Sequence, residues 1–220
     1  MTIRHTLHAT ILSVALALGC AALPGTVSAA PAANAAPSVA ATGPDALAGY
    51  ADAALDQWST YSTTGSTRAL AAFDDTRDAV AAEAANRLGL DPAAMQAAWS
   101  NADVAHQMAV MAAFSQLGTP YKRYTARPGI GFDCSGLTSW AWAQAGVAIF
   151  HQSRTQINNS RAVTRETAQA GDLVYYPGHV MMYLGIDKAI IHSPNSGRSV
   201  ELSFISERRV NSARFGDPTD

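Results

Sequence analysis

The rhythm of apolar and polar positions changes along the 220 residues. Residues 11–23 (ILSVALALGCAAL) form a nearly continuous apolar run. From Asp45 the spacing becomes helical, with Leu47, Tyr50 or Ala51, Ala54 and Trp58 on one face. Ser66 or Thr67 opens a second predicted helix, which runs through Leu88 and stops at Gly89. Asp91-Pro92 opens a third, with proline at the first helical position, where its missing N–H costs nothing. Apolar residues between 45 and 103 are sparse (Leu70, Phe73, Val80, Leu88) and alanine fills the rest. Such a segment has little core of its own. It is expected to pack on the second half of the chain or to form a small hairpin, as an appended structural pair or as a docking or gating element.

The second half has another texture. Val104 to Leu117 reads as a helix ending at Gly118, followed by a Pro/Gly-rich loop from Thr119 to Gly131. Ser135 to Ala145 reads as a helix stopped by Gly146. Short alternating runs come next, at 173–176, 180–184, 189–192, 200–205 and 210–215. Their spacing predicts an antiparallel meander. Helices first and strands after give an α+β arrangement.

Arg4, the apolar run, Pro24-Gly25 and the small residues Val27-Ser28-Ala29 follow the pattern of a secretory signal peptide, with cleavage expected after Ala29. The run is shorter than the ~20 residues of a membrane span. A competing reading takes Leu18-Gly19-Cys20 as a lipoprotein signal with a lipid anchor on Cys20. The expected organisation is therefore a signal peptide (1–29), a Pro-dotted linker (30–44), a helical region (45–103) and a second domain (104–220). Lys plus Arg number 15 against 17 Asp plus Glu, so no basic excess exists to neutralise nucleic-acid phosphates. Of the two cysteines, cleavage after Ala29 leaves only Cys134, and an unpaired thiol in an exported protein points to intermolecular pairing or to reactivity.

Cys134 stands in Phe132-Asp133-Cys134-Ser135-Gly136-Leu137, at the first turn of a predicted helix. Free backbone N–H groups and the helix dipole there favour an anion, so the thiol is expected below its ordinary value of ~8.5. Asp133 can cap the helix, and Gly136 allows another backbone to approach. A thiol nucleophile needs a base, which histidine supplies near neutral pH. His106 lies inside a helix and reads as structural. His179 and His192 fall on adjacent predicted strands. If Gly185 to Lys188 is a four-residue loop, Leu184 pairs with Ala189. His192 then sits opposite Met181, diagonal to His179 and within hydrogen-bonding reach. A two-residue loop would place His192 opposite Tyr183, too far away. In the first register His179 is the base and His192 fixes its tautomer. Cys134, His151, His179 and His192 show no tight chelate spacing, so neither a metal nor a cofactor is expected.

Five blocks together resemble one family. They are Gln116-Leu-Gly-Thr-Pro-Tyr121, Phe132-Asp-Cys-Ser-Gly-Leu137, Gly171-Asp-Leu-Val-Tyr-Tyr176, Gly178-His-Val-Met-Met-Tyr-Leu-Gly185 and Ile191-His-Ser-Pro194. In order and spacing they are similar to the NlpC-type cell-wall peptidases. The resemblance implies a papain-like fold and a cysteine endopeptidase acting on peptidoglycan stem peptides, typically between D-glutamate and the diamino acid. It implies Cys134 as nucleophile, His179 as base and His192 as third polar residue. Tyr121 would line the site, with the Cys134 and Ser135 amides at the oxyanion. Asp133 and His151 are further candidates for the oxyanion and substrate-binding side, His151 at the border of the cleft. The chain departs from the pattern where Lys122-Arg-Tyr-Thr-Ala-Arg127 replaces the usual aromatic-Gly-Gly. These cations could meet a stem-peptide carboxylate. In Phe150-His151-Gln152-Ser153-Arg-Thr-Gln156 the customary proline is lost, while Ser153 and Gln156 are kept.

Overall fold

Capping residues delimit the first three helices as their side chains dictate. Asp45 accepts from Leu47 N at the start of α1 (Ala46–Thr64), Ser66 from Ala69 N at α2 (Thr67–Leu88), and Asp91 from Ala93 N at α3 (Pro92–Ser100). Gly65 and Gly89, with φ of 69° and 68°, end α1 and α2 in the left-handed conformation that glycine adopts without a Cβ clash. The computed structural model describes residues 45–219, so the expected signal peptide, the linker and Cys20 lie outside the described residues.

The helical region does not keep a core to itself. Leu47, Ala48, Ala51 and Ala54 are the buried face of α1, whereas Tyr50 is 60% exposed. Phe73, Val80 and the alanines of α2, with Met95 and Trp99 of α3, join the same apolar cluster as α4 (Val104–Phe114) and the sheet beyond it. Every residue from His106 to Phe114 is buried, so α4 is a central helix, covered all round. Trp99 Nε1 donates to Leu184 O at 2.9 Å, tying α3 to the far half of the chain.

Two further helices, α5 (Cys134–Gln144) and α6 (Ser153–Asn159), flank a six-stranded antiparallel sheet. Its strands are β3 (Arg161–Val163), β4 (Leu173–Tyr176), β5 (His179–Tyr183), β6 (Ala189–His192), β7 (Glu201–Phe204) and β8 (Arg214–Asp217), in the order β3-β8-β4-β5-β6-β7. A small hairpin, β1 (Ala126–Arg127) with β2 (Gly131–Phe132), occupies the loop before α5. The α+β arrangement is the expected one, and β4 to β7 form the expected meander. The last strand departs from it. Val210–Ser212 is a single 3-10 turn, and β8 returns to pair with β4, not with β7.

Burial explains that return. Phe215 enters a second apolar cluster with Val174, Met181, Tyr183, Ile190 and Ile205, meeting the Tyr183 ring edge-on at 5.5 Å. Asp217 joins a buried ionic group. His106 Nε2 lies 3.0 Å from Asp172 Oδ1 and 3.5 Å from Asp217 Oδ1, and Arg161 pairs with Asp217. Gln169 N donates to Asp172 Oδ2, and Thr219 donates to Asp217 Oδ1. His106 is thus a structural link between α4 and the sheet.

Candidate functional site

Asp133 organises the start of α5. Its Oδ1 accepts from Gly136 N (2.7 Å), Ser135 Oγ (3.1 Å) and His151 Nε2 (2.9 Å), while Oδ2 accepts from Tyr124 N (2.7 Å). Asp133, Ser135 and His151 therefore hold one another and the helix start. Gly136 has no room for a side chain, since a Cβ there would stand 2.2 Å from Thr125 O. On the other side, Gln156 of α6 donates to Ser135 O (2.9 Å) and Phe150 O (2.7 Å) and accepts from Thr138 Oγ1 (2.8 Å). Ser193 Oγ donates to Phe132 O at 2.8 Å and fastens the end of β6 to the residue before Asp133. Cys134 is consequently fixed from several directions.

The thiol is partly buried, and the nearby backbone N–H groups of Val180, Ser135 and Cys134 itself favour its thiolate. Burial nevertheless pushes the Cys134 thiol up, and the Asp133 carboxylate adds to this. The helix-start position alone predicts a lowered thiol. The amides there do act in that direction, but loss of water around the sulfur outweighs them.

β5 begins at His179, directly after the Pro177–Gly178 turn, where Gly178 takes φ of 89°. The β5–β6 register pairs Met182 with Ile191 and Tyr183 with Ile190, and Leu184 N donates to Ala189 O. This is the four-residue-loop register. It brings His179 Nε2 to 2.8 Å from His192 Nδ1, with the rings edge-on. Burial, then the His192 ring and the Arg209 guanidinium, depress His179 from 6.5 to about 3. At neutral pH the site therefore holds a neutral thiol and a neutral imidazole.

The matches to known proteins fall on this same stretch, since residues 118–216 fit the NlpC/P60 family. These residues are an NlpC/P60 domain. Dipeptidyl-peptidase 6 of Lysinibacillus sphaericus is 36% identical over 100 residues, covering 45% of this chain and 36% of that protein. Gamma-D-glutamyl-L-lysine dipeptidyl-peptidase of Bacillus cereus is 40% identical over 94 residues, covering 39% of this chain and 28% of that protein. This chain thus spans about a third of the curated relatives it matches. A crystal structure of a NlpC/P60 family protein from Bacillus cereus aligns with a TM-score of 0.48 at 30% identity, over 52% of this chain and 40% of that one.

Of the seven singled-out residues, His179 and His192 meet directly, Cys134 and Ser135 open α5, and Asp133 with His151 braces that helix start. Tyr121 is partly buried, and desolvation followed by the charges of Cys134 and Asp133 pushes its hydroxyl up, which places it beside the thiol. His151 stands behind the helix start on Asp133. Lys122, Arg123 and Arg127 are exposed, with Arg123 over the Tyr124 ring at 5.5 Å. Two neighbours were missed in the sequence. Tyr176 pairs with His179 across β4–β5, its ring 5.4 Å from the imidazole. Arg209 lies over the Tyr176 ring at 4.6 Å. The Pro-Gly turn could have revealed Tyr176 as the register mate of His179. Nothing in the sequence places Arg209, which depends on the return of the chain through the 3-10 turn. A cavity of about 410 Å³, lined by Val163, Arg165, Val210, Arg214 and Phe215 among others, shares no residue with the site.

Proposed function

We propose that this chain is a secreted peptidoglycan hydrolase that cuts stem peptides between D-glutamate and the diamino acid by a Cys134–His179–His192 thiol mechanism. The contact that carries the reading is His179 Nε2 to His192 Nδ1 at 2.8 Å, beside a cysteine at a helix start. The relatives, a gamma-D-glutamyl-L-lysine dipeptidyl-peptidase among them, support the substrate class.

In this reading the thiol proton passes to His179 Nδ1 as sulfur attacks the scissile carbonyl. The developing oxyanion faces backbone N–H groups at the start of α5, those of Cys134 and Ser135. His179 returns its proton to the departing amine, leaving an acyl-thioester that water hydrolyses with His179 again as base. Tyr121 forms one wall, and Lys122, Arg123 and Arg127 offer cations to a stem-peptide carboxylate. Export rests on the pattern of residues 1–29 and predicts a mature N-terminus at Ala30, read by sequencing protein recovered outside the cell.

The test is mass spectrometry of purified muropeptides treated with residues 30–220, beside Cys134→Ala. Cleavage at the D-glutamyl–diamino acid bond by the unsubstituted chain alone is expected. Intact muropeptides in both reactions would overturn the proposal and leave a wall-binding domain.

A further inference from the structure

His179 can receive a proton at Nδ1 only while Nε2 keeps its own hydrogen. That hydrogen then points at His192 Nδ1, 2.8 Å away, which must accept it. His192 therefore carries its hydrogen on Nε2. This nitrogen is buried and has no hydrogen-bond partner among the described residues, in a side chain belonging to a residue only 9% exposed. Buried donors without acceptors are uncommon and costly. Across the β6–β7 ladder the residue directly opposite His192 is Glu201, and its Oε1 stands 3.5 Å from that Nε2. Arg198 grips the same carboxylate, its Nε donating to Oε2 at 3.0 Å and its Nη2 to Oε1. The segment from Arg198 to Val200 is in turn laced to Thr119 and Tyr121 by backbone hydrogen bonds, so the carboxylate is held at the site by the loop that carries Tyr121.

We propose that Glu201 is a positioning residue of the site, acting through His192. The inference rests on the roles of Cys134, His179 and His192 in the proposed function. Glu201 accepts from His192 Nε2–H and so holds His192 in the one tautomer that can receive His179. When the S–H bond of Cys134 breaks and the N–H bond at His179 Nδ1 forms, His179 becomes a cation while His192 and Glu201 keep their protons as they were. The carboxylate stabilises that cation through the intervening ring. The groups around the line are Cys134, Tyr176 and Arg209 at the His179 end and Arg198 at the other. Arg209 opposes charge on His179 and the Asp133 carboxylate stands beside the thiol, while Glu201 is the carboxylate that faces His192.

The experiment is alkylation of Cys134 by iodoacetamide across pH, followed at its own peptide by mass spectrometry in the full chain. The variants are Glu201→Gln, His192→Ala and the double substitution. Iodoacetamide needs thiolate, so its rate reads the proton transfer to His179 without any muropeptide. Glu201→Gln is expected to slow alkylation near neutral pH about tenfold, equivalent to one unit in the titration of the pair. Its acidic limb, set by protonation of His179, should also move to lower pH, because removing an anion disfavours the imidazolium. In the His192→Ala background the same substitution should change the rate less than about twofold. Equal slowing in both backgrounds, or none in the first, would overturn the proposal. Should Glu201→Gln fail to fold, Arg198→Ala leaves the carboxylate in place but loosens it, and a smaller slowing that again vanishes without His192 is the expected result. An absence of slowing with Arg198→Ala would count against the clamp and the proposal alike. Failure of muropeptide cleavage would remove the substrate assignment while leaving this alkylation result to stand or fall by itself.

Discussion

His179 shows how much one buried ring can say about pH. Its imidazole is depressed to about 3 chiefly by burial, then by His192 and Arg209, while in the unfolded chain it titrates near the ordinary ~6.5. The folded value is the lower one, so on acidification the unfolded chain takes up its proton first. Stability from this group is therefore whole above ~6.5, declines as pH falls, and levels off once pH passes about 3. His179→Gln removes that acid liability. The expected outcome is a higher Tm than the natural chain at about pH 4.5 and no such gain at about pH 8. A difference in Tm that ignores pH would mean that water reaches the ring and that it titrates normally. The same neutrality carries into activity under the proposed function. A base that stays unprotonated down to about 3 should keep kcat/KM on a plateau well below the usual histidine range, a profile measured directly on muropeptides.

At the scale of elements, what the sequence made legible followed local chemistry. Ser66, Asp91 and Gly89 mark helix ends because caps are read within four residues, and those ends stand where expected. The His179–His192 contact was legible because loop length sets hairpin register. Legibility failed where distant parts decide. β8 pairs with β4 because Phe215 and Asp217 find partners some thirty residues or more away, and the raised thiol of Cys134 reflects a burial that no local string reports. Arg209 reaches the site by the same long-range folding, whereas Glu201 is set opposite His192 by the β6–β7 register. Two substitutions probe how α5 is seated. Gly136→Ala would set a methyl 2.2 Å from the Thr125 carbonyl and 2.9 Å from His151 Nε2. One contact is backbone, so the helix start must move. A loss of about 1–3 kcal/mol in denaturant unfolding is expected, together with altered Cys134 alkylation. Gln156→Leu conserves bulk but leaves Ser135 O, Phe150 O and Thr138 Oγ1 without their partner. Each buried group left unpaired costs about 1–3 kcal/mol, so a loss of more than about 2 kcal/mol is expected from the three. A smaller loss would mean that water replaces the amide.

For the whole molecule, the question is what residues 45–103 contribute. Their alanine-rich composition suggested either a removable gate or an appended structural pair, and the core they share with α4 argues for a part that cannot be removed cleanly. Met108, Ala109, Val110, Met111, Ala112 and Phe114 are all buried in one cluster with Leu47, Phe73, Met95 and Trp99. Arg77 is buried too, donating to Gln107 Oε1 of α4 at 2.7 Å and pairing with Asp74 and Asp78. The hydrogen bonds that hold Asp133, His151 and His179, by contrast, all come from residues after 103. The helices thus support the sheet and α4 without supplying a polar group to the site. Trp99→Ala would remove an indole buried against Phe114 at 5.0 Å and the bond to Leu184 O. A loss of about 3–5 kcal/mol is expected, seen as a single unfolding transition at lower temperature, with Cys134 alkylation unchanged below that transition. Residues 104–220 alone would leave the apolar face of α4 in water. They are expected to lose cooperative unfolding and to bind a hydrophobic dye. Loss of hydrolysis on that truncation would then report a collapsed core. Only a fragment that unfolds sharply and hydrolyses faster than the full chain would restore the gate.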